Sequence, residues 1–289
     1  MKEIRITFLL LLLTPLMSFS QVKSNFTKIE LRKNQPAYIG ITMGFSSSNF
    51  RDFATSPLIY RGLQKYVSFS KIRSSMKKES EIGLSYSFGN YKTLFNEHLT
   101  MSSVKTYSLD YSQLYEFNQL SSENLNVKLG GLLSVTGNLR MNESLLNNAT
   151  GVEVIPTLFG SVKITKDISR KNSVEKKFLF IKYRLKEQNR NLAFRLNIGL
   201  VNSSYRNGYV YSGQSAVLNS PKLLDDYEFK MFSGFRVSSA LDYTLVKKNK
   251  NKIQISYLWG AYKTGGNLDK FEMAYHAIKL TFLFNNNNK

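Results

Sequence analysis

Residues 39–46 read Ile39-Gly40-Ile41-Thr42-Met43-Gly44-Phe45-Ser46, and this stretch decides the fold. A β-strand turns successive side chains to opposite faces, so Ile39, Ile41, Met43 and Phe45 share one face while Gly40, Thr42, Gly44 and Ser46 share the other. The division returns at Ile82, Leu84, Tyr86 and Phe88 against Gly83, Ser85, Ser87 and Gly89. It returns again at Tyr107, Leu109 and Tyr111 against Ser108, Asp110 and Ser112. Longer versions follow at 125–139, 192–200, 229–246, 253–260 and 276–284, and weaker ones at 63–73, 152–165 and 177–186. Together they make roughly eleven strand-like runs, with no helix-period stretch of useful length.

The rest of the composition agrees with strands. The chain has 289 residues with 20 Phe and 17 Tyr but only 5 Pro, a balance that favours sheet. Cysteine is absent, which excludes disulfide frameworks, thiolate metal sites and thiol nucleophiles. With 42% hydrophobic residues the chain is not compositionally disordered, and its formal net charge is +20.

The first twenty residues read as an address. Lys2 and Arg5 precede an apolar stretch from Ile6 to Met17, and Ser18-Phe19-Ser20 offers small residues for cleavage before Gln21. Residues 1–20 are therefore expected to be a signal peptide, 21–36 a periplasmic lead, 37–285 one barrel domain and 286–289 a polar tail. After Gln21 no apolar run approaches the roughly 20 residues that a membrane helix requires.

Alternation alone also suits a soluble barrel or a sandwich, and two features argue for a membrane. Runs such as 125–139 and 229–246 exceed the usual globular strand of about 5–6 residues. The polar face is Gly, Ser, Thr and Asn with few charges, as a crowded interior requires, whereas a solvated exterior is rich in Lys and Glu. Aromatics at strand ends (Phe45, Phe88, Tyr107, Tyr243, Trp259, Phe284) suit interfacial girdles. Strands in lipid must close on themselves, so the fold expected is all-β: a closed antiparallel transmembrane β-barrel of an even number of strands, about twelve, with ten to fourteen as the range. One of the eleven runs is then spurious, or a strand is missed within 203–228. Short connections at 74–78, 121–124, 186–190 and 247–251 are expected on one rim. Longer ones at 47–62, 90–103, 140–151, 203–228 and 264–274 are expected on the other.

With its exported start, its strand pattern and a final strand from His276 to Phe284, the chain resembles outer-membrane β-barrels of Gram-negative bacteria. The signal, with Gln21 at the mature start, is similar to those of Bacteroidota. The resemblance is architectural, covers about 37–285, and carries no subfamily motif. It implies a bacterial outer-membrane location and contact with outer-membrane lipid and lipopolysaccharide.

Placing the apolar face outward turns Lys128, Lys163, Lys182, Arg184, Arg195, Lys230, Arg236 and Lys279 inward, against Asp110, Glu116, Glu153 and Asp242. Such an excess of cations favours anions, so the leading expectation is a narrow passive pore or small-solute transporter that prefers small anionic solutes. The opposing expectation is that these charges pair across a filled interior, giving a non-conducting barrel that scaffolds a secretion or surface complex with envelope protein partners. Residues 49–62 are the most structured-looking loop, with Phe50, Arg51, Asp52, Tyr60 and Arg61 as constriction candidates. A lipid-modifying enzyme ranks third. The two histidines, His98 near Ser102 and Ser103 and His276 opening the last strand, lack a His-x-Ser-Asn pattern and give no metal spacing. No catalytic residue, metal site or cofactor is expected, and the basic charge lacks any nucleic-acid recognition motif.

Overall fold

In the computed structural model the described residues are 35–95, 97–142, 144–145, 150–207, 227–266 and 269–286. The expected signal peptide, all but the end of the 21–36 lead and most of the 286–289 tail lie outside them. The strands are β1 (Ala37–Asp52), β2 (Ser56–Ser74), β3 (Lys78–Phe95), β4 (His98–Glu116), β5 (Leu125–Met141), β6 (Thr150–Asp167) and β7 (Val174–Phe178). The remainder are β8 (Ile181–Leu185), β9 (Asn189–Asn202), β10 (Ser204–Asn207), β11 (Tyr227–Lys230), β12 (Phe235–Val246), β13 (Lys252–Lys263) and β14 (Phe271–Asn285).

Neighbours in sequence pair antiparallel from β1 through β6, and β1 joins β14, β14 joins β13, β13 joins β12 and β12 joins β9. Pairing of β6 with β9, from Thr157 opposite Asn202 to Asp167 opposite Asn191, closes the ring. Ten strands form the closed barrel; β10 and β11 are not counted among them, and β10 continues the line of β9 along β6, with Arg206 opposite Glu153. The count of twelve is thereby corrected to ten, the lower end of the expected range. The surplus run was 177–186, which holds β8 and the end of β7, paired only with each other as a separate hairpin. The run 229–246 is also interrupted, because residues 231–234 separate β11 from β12 and Gly234 adopts a left-handed φ of 94° there.

The alternation does what its period requires. Ile41 stands opposite Phe69 on one side and Phe282 on the other, and Phe69 stands opposite Leu84, which stands opposite Leu109. All four of Ile41, Phe69, Leu84 and Leu109 are exposed on the outer wall. Phe45, Phe88, Tyr107 and Phe284 are exposed there too, at the edges of that band. An exposed apolar belt this continuous is unfavourable in water and favourable against lipid tails. Closure leaves no backbone edge within the belt, so the strands cross a membrane.

Both barrel ends, Ala37 and Asn285, lie on one rim together with the short turns 75–77 and 247–251, which makes that rim the periplasmic one. Two expected long loops on the opposite rim are strand instead. Hairpin β1–β2 turns at 53–55, and β3 runs to Phe95 with β4 starting at His98. Ring strands there reach 19 residues, beyond the roughly 9–11 needed to cross a bilayer, and the excess projects from the outer rim. The expected short connection at 186–190 belongs to a longer periplasmic segment, 168–188, that carries the β7–β8 hairpin.

The lipid contact of the belt predicts an asymmetry. Leu84→Arg should lower the unfolding free energy in lipid vesicles by about 2–4 kcal/mol, whereas Leu94→Arg, above the belt, should cost about 0–1 kcal/mol. Urea titrations followed by tryptophan fluorescence of the single Trp259 check both.

Candidate functional site

The inner wall is small and polar along most of its height, and two tiers of larger side chains, one at each end, interrupt it. The outer tier comes from the ends of β1, β2, β3, β13 and β14. Phe50 and Tyr60 are cross-strand partners with stacked rings 5.0 Å apart. Tyr91 meets Phe50 edge-on at 5.0 Å, and Phe271 lies 5.8 Å from both Phe50 and Tyr262. Gly62 sits opposite Tyr91, where a Cβ would come within 2.8 Å of the Tyr91 ring, so the missing side chain makes room for the aromatic. Each phenol is tied down. Tyr91 Oη is 2.5 Å from Ser48 Oγ, Tyr60 Oη accepts from Asn142 Nδ2 at 3.0 Å, and Tyr262 Oη accepts from Asn138 Nδ2 at 2.9 Å.

A quartet of charges seals this cluster. Arg140 Nη2 donates to Asp52 Oδ2 at 2.5 Å, and Arg206 Nη2 donates to Asp52 Oδ1 at 2.6 Å. Arg140 also donates from Nε to Glu153 Oε1 at 2.9 Å and bonds the same oxygen through Nη2. Both guanidinium groups lie over the Phe271 ring, at 4.8 and 5.8 Å. All four charged side chains are buried, so each depends on the others for compensation. Asp52 further accepts from Ala54 N and Thr55 Oγ1, which fixes the turn of its own hairpin.

At the periplasmic end Glu79 accepts from Lys163 Nζ at 2.6 Å and lies 3.5 Å from Lys128 Nζ, while Lys128 also reaches the Ser75 carbonyl at 2.6 Å. Arg195 Nη1 lies 3.3 Å from Glu81 Oε2. Between the two ends are two cavities with polar walls, of about 200 Å³ at mid-height and about 520 Å³ towards the periplasmic rim. They share the walls of Tyr66, Ser85, Asp110, Leu258 and Lys279.

Of the eight cations expected inside, Lys128, Lys163, Arg195, Arg236 and Lys279 line these cavities. Lys182 and Arg184 are corrected: both belong to the β7–β8 hairpin outside the ring, where Arg184 is exposed and donates to Ser173 Oγ. Lys230 is on β11, also outside the ring, held at 2.5 Å by Asp269 and 3.3 Å by Glu228. The acids expected inside are Asp110 and Asp242 in the cavity walls, Glu116 bonded to inward Asn126, and Glu153 in the quartet. Of the constriction candidates, Phe50, Asp52 and Tyr60 are buried in the outer tier, whereas Arg61 is exposed and Arg51, one residue out of phase with Phe50, stacks on Phe53. They belong to strands and not to an inward-folded loop. The residues that sequence reasoning missed are Glu79, Glu81, Arg140 and Arg206. The signal for the first three was parity: Glu79 and Glu81 continue the inward series Gly83, Ser85, Ser87, and Arg140 continues Ser134 and Thr136. Nothing in the sequence announced Arg206, which lies beyond the register shift between Leu158 and Phe159 on the β6–β9 seam, where Leu200 is the extra residue.

The histidines stand apart. His98 opens β4 opposite Phe95 and is exposed, while the nearby Ser102 is turned inward and bonds the Met141 carbonyl. His276 faces outward, with Nδ1 2.6 Å from Tyr257 Oη. Among the described residues no group of three or more His, Asp or Glu is arranged to hold a metal.

A closed antiparallel ring with an apolar outside, a polar inside and both ends on one rim is an outer-membrane β-barrel, and the protein is located in the bacterial outer membrane. No protein-family model matches the chain, and no curated protein matches it. Solved structures similar to it include the outer-membrane protease OmpT of Escherichia coli, at 9% identity and TM-score 0.44 over 91% of this chain and 99% of that one. The toluene transporter TodX of P. putida is similar at 7% identity and TM-score 0.31, covering 89% and 91%. The attachment protein Ail of Yersinia pestis is similar at 12% identity and TM-score 0.26, covering 86% and 99%. Likenesses at this level transfer no activity.

Loss of one quartet member should expose the interdependence of the others. Asp52→Ala leaves two buried guanidinium groups short of a carboxylate and should lower stability by about 3–5 kcal/mol, read as a lower urea midpoint for the refolded barrel.

Proposed function

We propose that this protein is a plugged barrel, closed to passive ion flow at rest, that acts as a structural component of the outer membrane and presents its long hairpins to envelope protein partners. The observation that carries this reading is the outer tier. Aromatics from five strands and a compensated charge quartet fill the cross-section where a pore would need its mouth. Charge balance supports it as well. In the two cavities and at the periplasmic end six cations, Lys128, Lys163, Arg195, Arg236, Lys252 and Lys279, stand against five acids, Glu79, Glu81, Asp110, Glu116 and Asp242, a near balance in number. Among the described residues, however, Arg236, Lys252 and Lys279 have no carboxylate within 4 Å. A lumen so nearly neutral gives little selectivity for anions, and the +20 of the whole chain must reside mainly outside it. No catalytic step is assigned: His98 is exposed while Ser102 turns inward, and His276 bonds Tyr257 on the lipid-facing wall. Exposed Lys65 and Lys105, which flank Phe88 at the top of the apolar belt, suit contact with lipid phosphates.

A second reading, a gated passage for small anionic solutes, is favoured by the two polar cavities stacked beneath the plug. It requires the outer tier to move aside.

Planar bilayers test both. The purified barrel should show no conductance steps above background at either polarity, and the triple variant Phe50→Ala, Tyr60→Ala, Phe271→Ala should open steps. Frequent steps in the unaltered protein would replace the plugged reading with the passage.

A further inference from the structure

We propose that the mid-height chamber is a binding site for a small oxyanion, of the phosphate or carboxylate class, held between Arg236 and Lys279 and reached from the periplasmic cavity.

The interior cations differ in whether a carboxylate stands beside them. Arg140, Arg206, Lys128, Lys163 and Arg195 each have one within 4 Å. Among the described residues Arg236 and Lys279 have none. Lys252 also lacks one, but it lies at the periplasmic end over the Tyr38 ring and does not reach the mid-height chamber. Arg236 is held in place without being neutralised. Its guanidinium lies over Phe159 at 5.4 Å and Tyr262 at 5.2 Å, and Nη2 donates to Thr136 Oγ1 at 2.8 Å. Those contacts fix the plane of the fork and leave Nη1, buried, without a partner. Lys279 Nζ sits 3.4 Å above the Tyr66 ring in the same chamber.

A second donor points to a ligand independently. Gln64 accepts from Ser46 through Oε1, while its buried Nε2 has no partner, and Gln64 lines the same chamber. Two unpartnered N–H groups and two uncompensated cations around one cavity form an acceptor-seeking site, since buried donors and charges are costly unless satisfied. The chamber holds about 200 Å³, enough for a small anion with several waters at about 30 Å³ each. Its other walls are largely hydroxyls, including Ser85, Ser108 and Ser134, which can donate to further oxygens. A planar guanidinium matches both carboxylate and phosphate in two-point contact. Asp110, in the wall shared with the periplasmic cavity, is outside salt-bridge distance of both cations, so the charged side chains lining the chamber, Arg236, Lys279 and Asp110, leave one positive charge in excess. The site is one of retention and does not depend on whether the outer tier ever opens.

Isothermal titration of the folded full chain in detergent micelles, with inorganic phosphate in one arm and succinate in the other at matched ionic strength, tests the proposal. Saturable binding of at least one is expected, and the tighter arm identifies the anion class. Arg236→Met keeps the stacking volume between Phe159 and Tyr262 and should weaken binding at least tenfold. Lys279→Met, which leaves that stack untouched, should also weaken it and serves if Arg236→Met fails to fold by heat-modified gel migration. Absence of saturable heat in both arms, or unchanged affinity in a folded Lys279→Met barrel, would overturn the site. Neither result bears on the bilayer measurement, so the two readings fail separately.

Discussion

The β6–β9 pairing on which the barrel depends joins strands separated by the whole β7–β8 excursion. In lipid every strand N–H and C=O needs a partner, because no water is present to take its place, and an open sheet would leave two rows of them unmet. Once those ladders close, the apolar belt has only lipid to face. The inward side chains, meanwhile, are confined to a lumen whose width is fixed by ten strands. The plug, the paired charges and the cavities all follow from that confinement.

A narrow ring brings opposite walls within reach of one another, so the interior is organised by contacts across the lumen as much as along the sheet. Arg140 reaches Asp52 over 88 positions of sequence and Arg206 reaches Asp52 over 154. In a low-dielectric interior such pairs tolerate little slack, since removal of one charge strands its partner. Phe50, Tyr60, Tyr91 and Phe271 occupy the space among them with aromatic geometry that packs well at 5–6 Å between centroids.

The wall of this barrel was legible in the sequence and its filling was not. Alternation identified the faces of β1, β3, β4, β5, β9, β13 and β14 because period 2 is a property of the strand itself, independent of neighbours. The run 177–186 carried a weaker alternation and formed a separate hairpin, since a short two-stranded piece satisfies that pattern as readily as a membrane span does. Segments 47–62 and 90–103 read as loops because Ser47, Asn49 and Lys92 break the apolar face. Above the lipid the outer wall no longer needs to be apolar, and the strands simply continue. Charge was the least legible feature. Sequence parity turns Lys163 inward but cannot reveal that Glu79, 84 positions earlier, stands against it across the lumen. An inward excess of cations on paper became near neutrality in space.

Asp52 ends the first strand, while Arg206 follows seven of the ten ring strands in the chain. Chain order therefore gives the Asp52 carboxylate its first guanidinium from the fifth strand, through Arg140, and its second only beyond β9. In the finished molecule the same carboxylate ties the end of the first hairpin to the wall beside the closing seam, so the stopper spans the first strand and the last pairing at once.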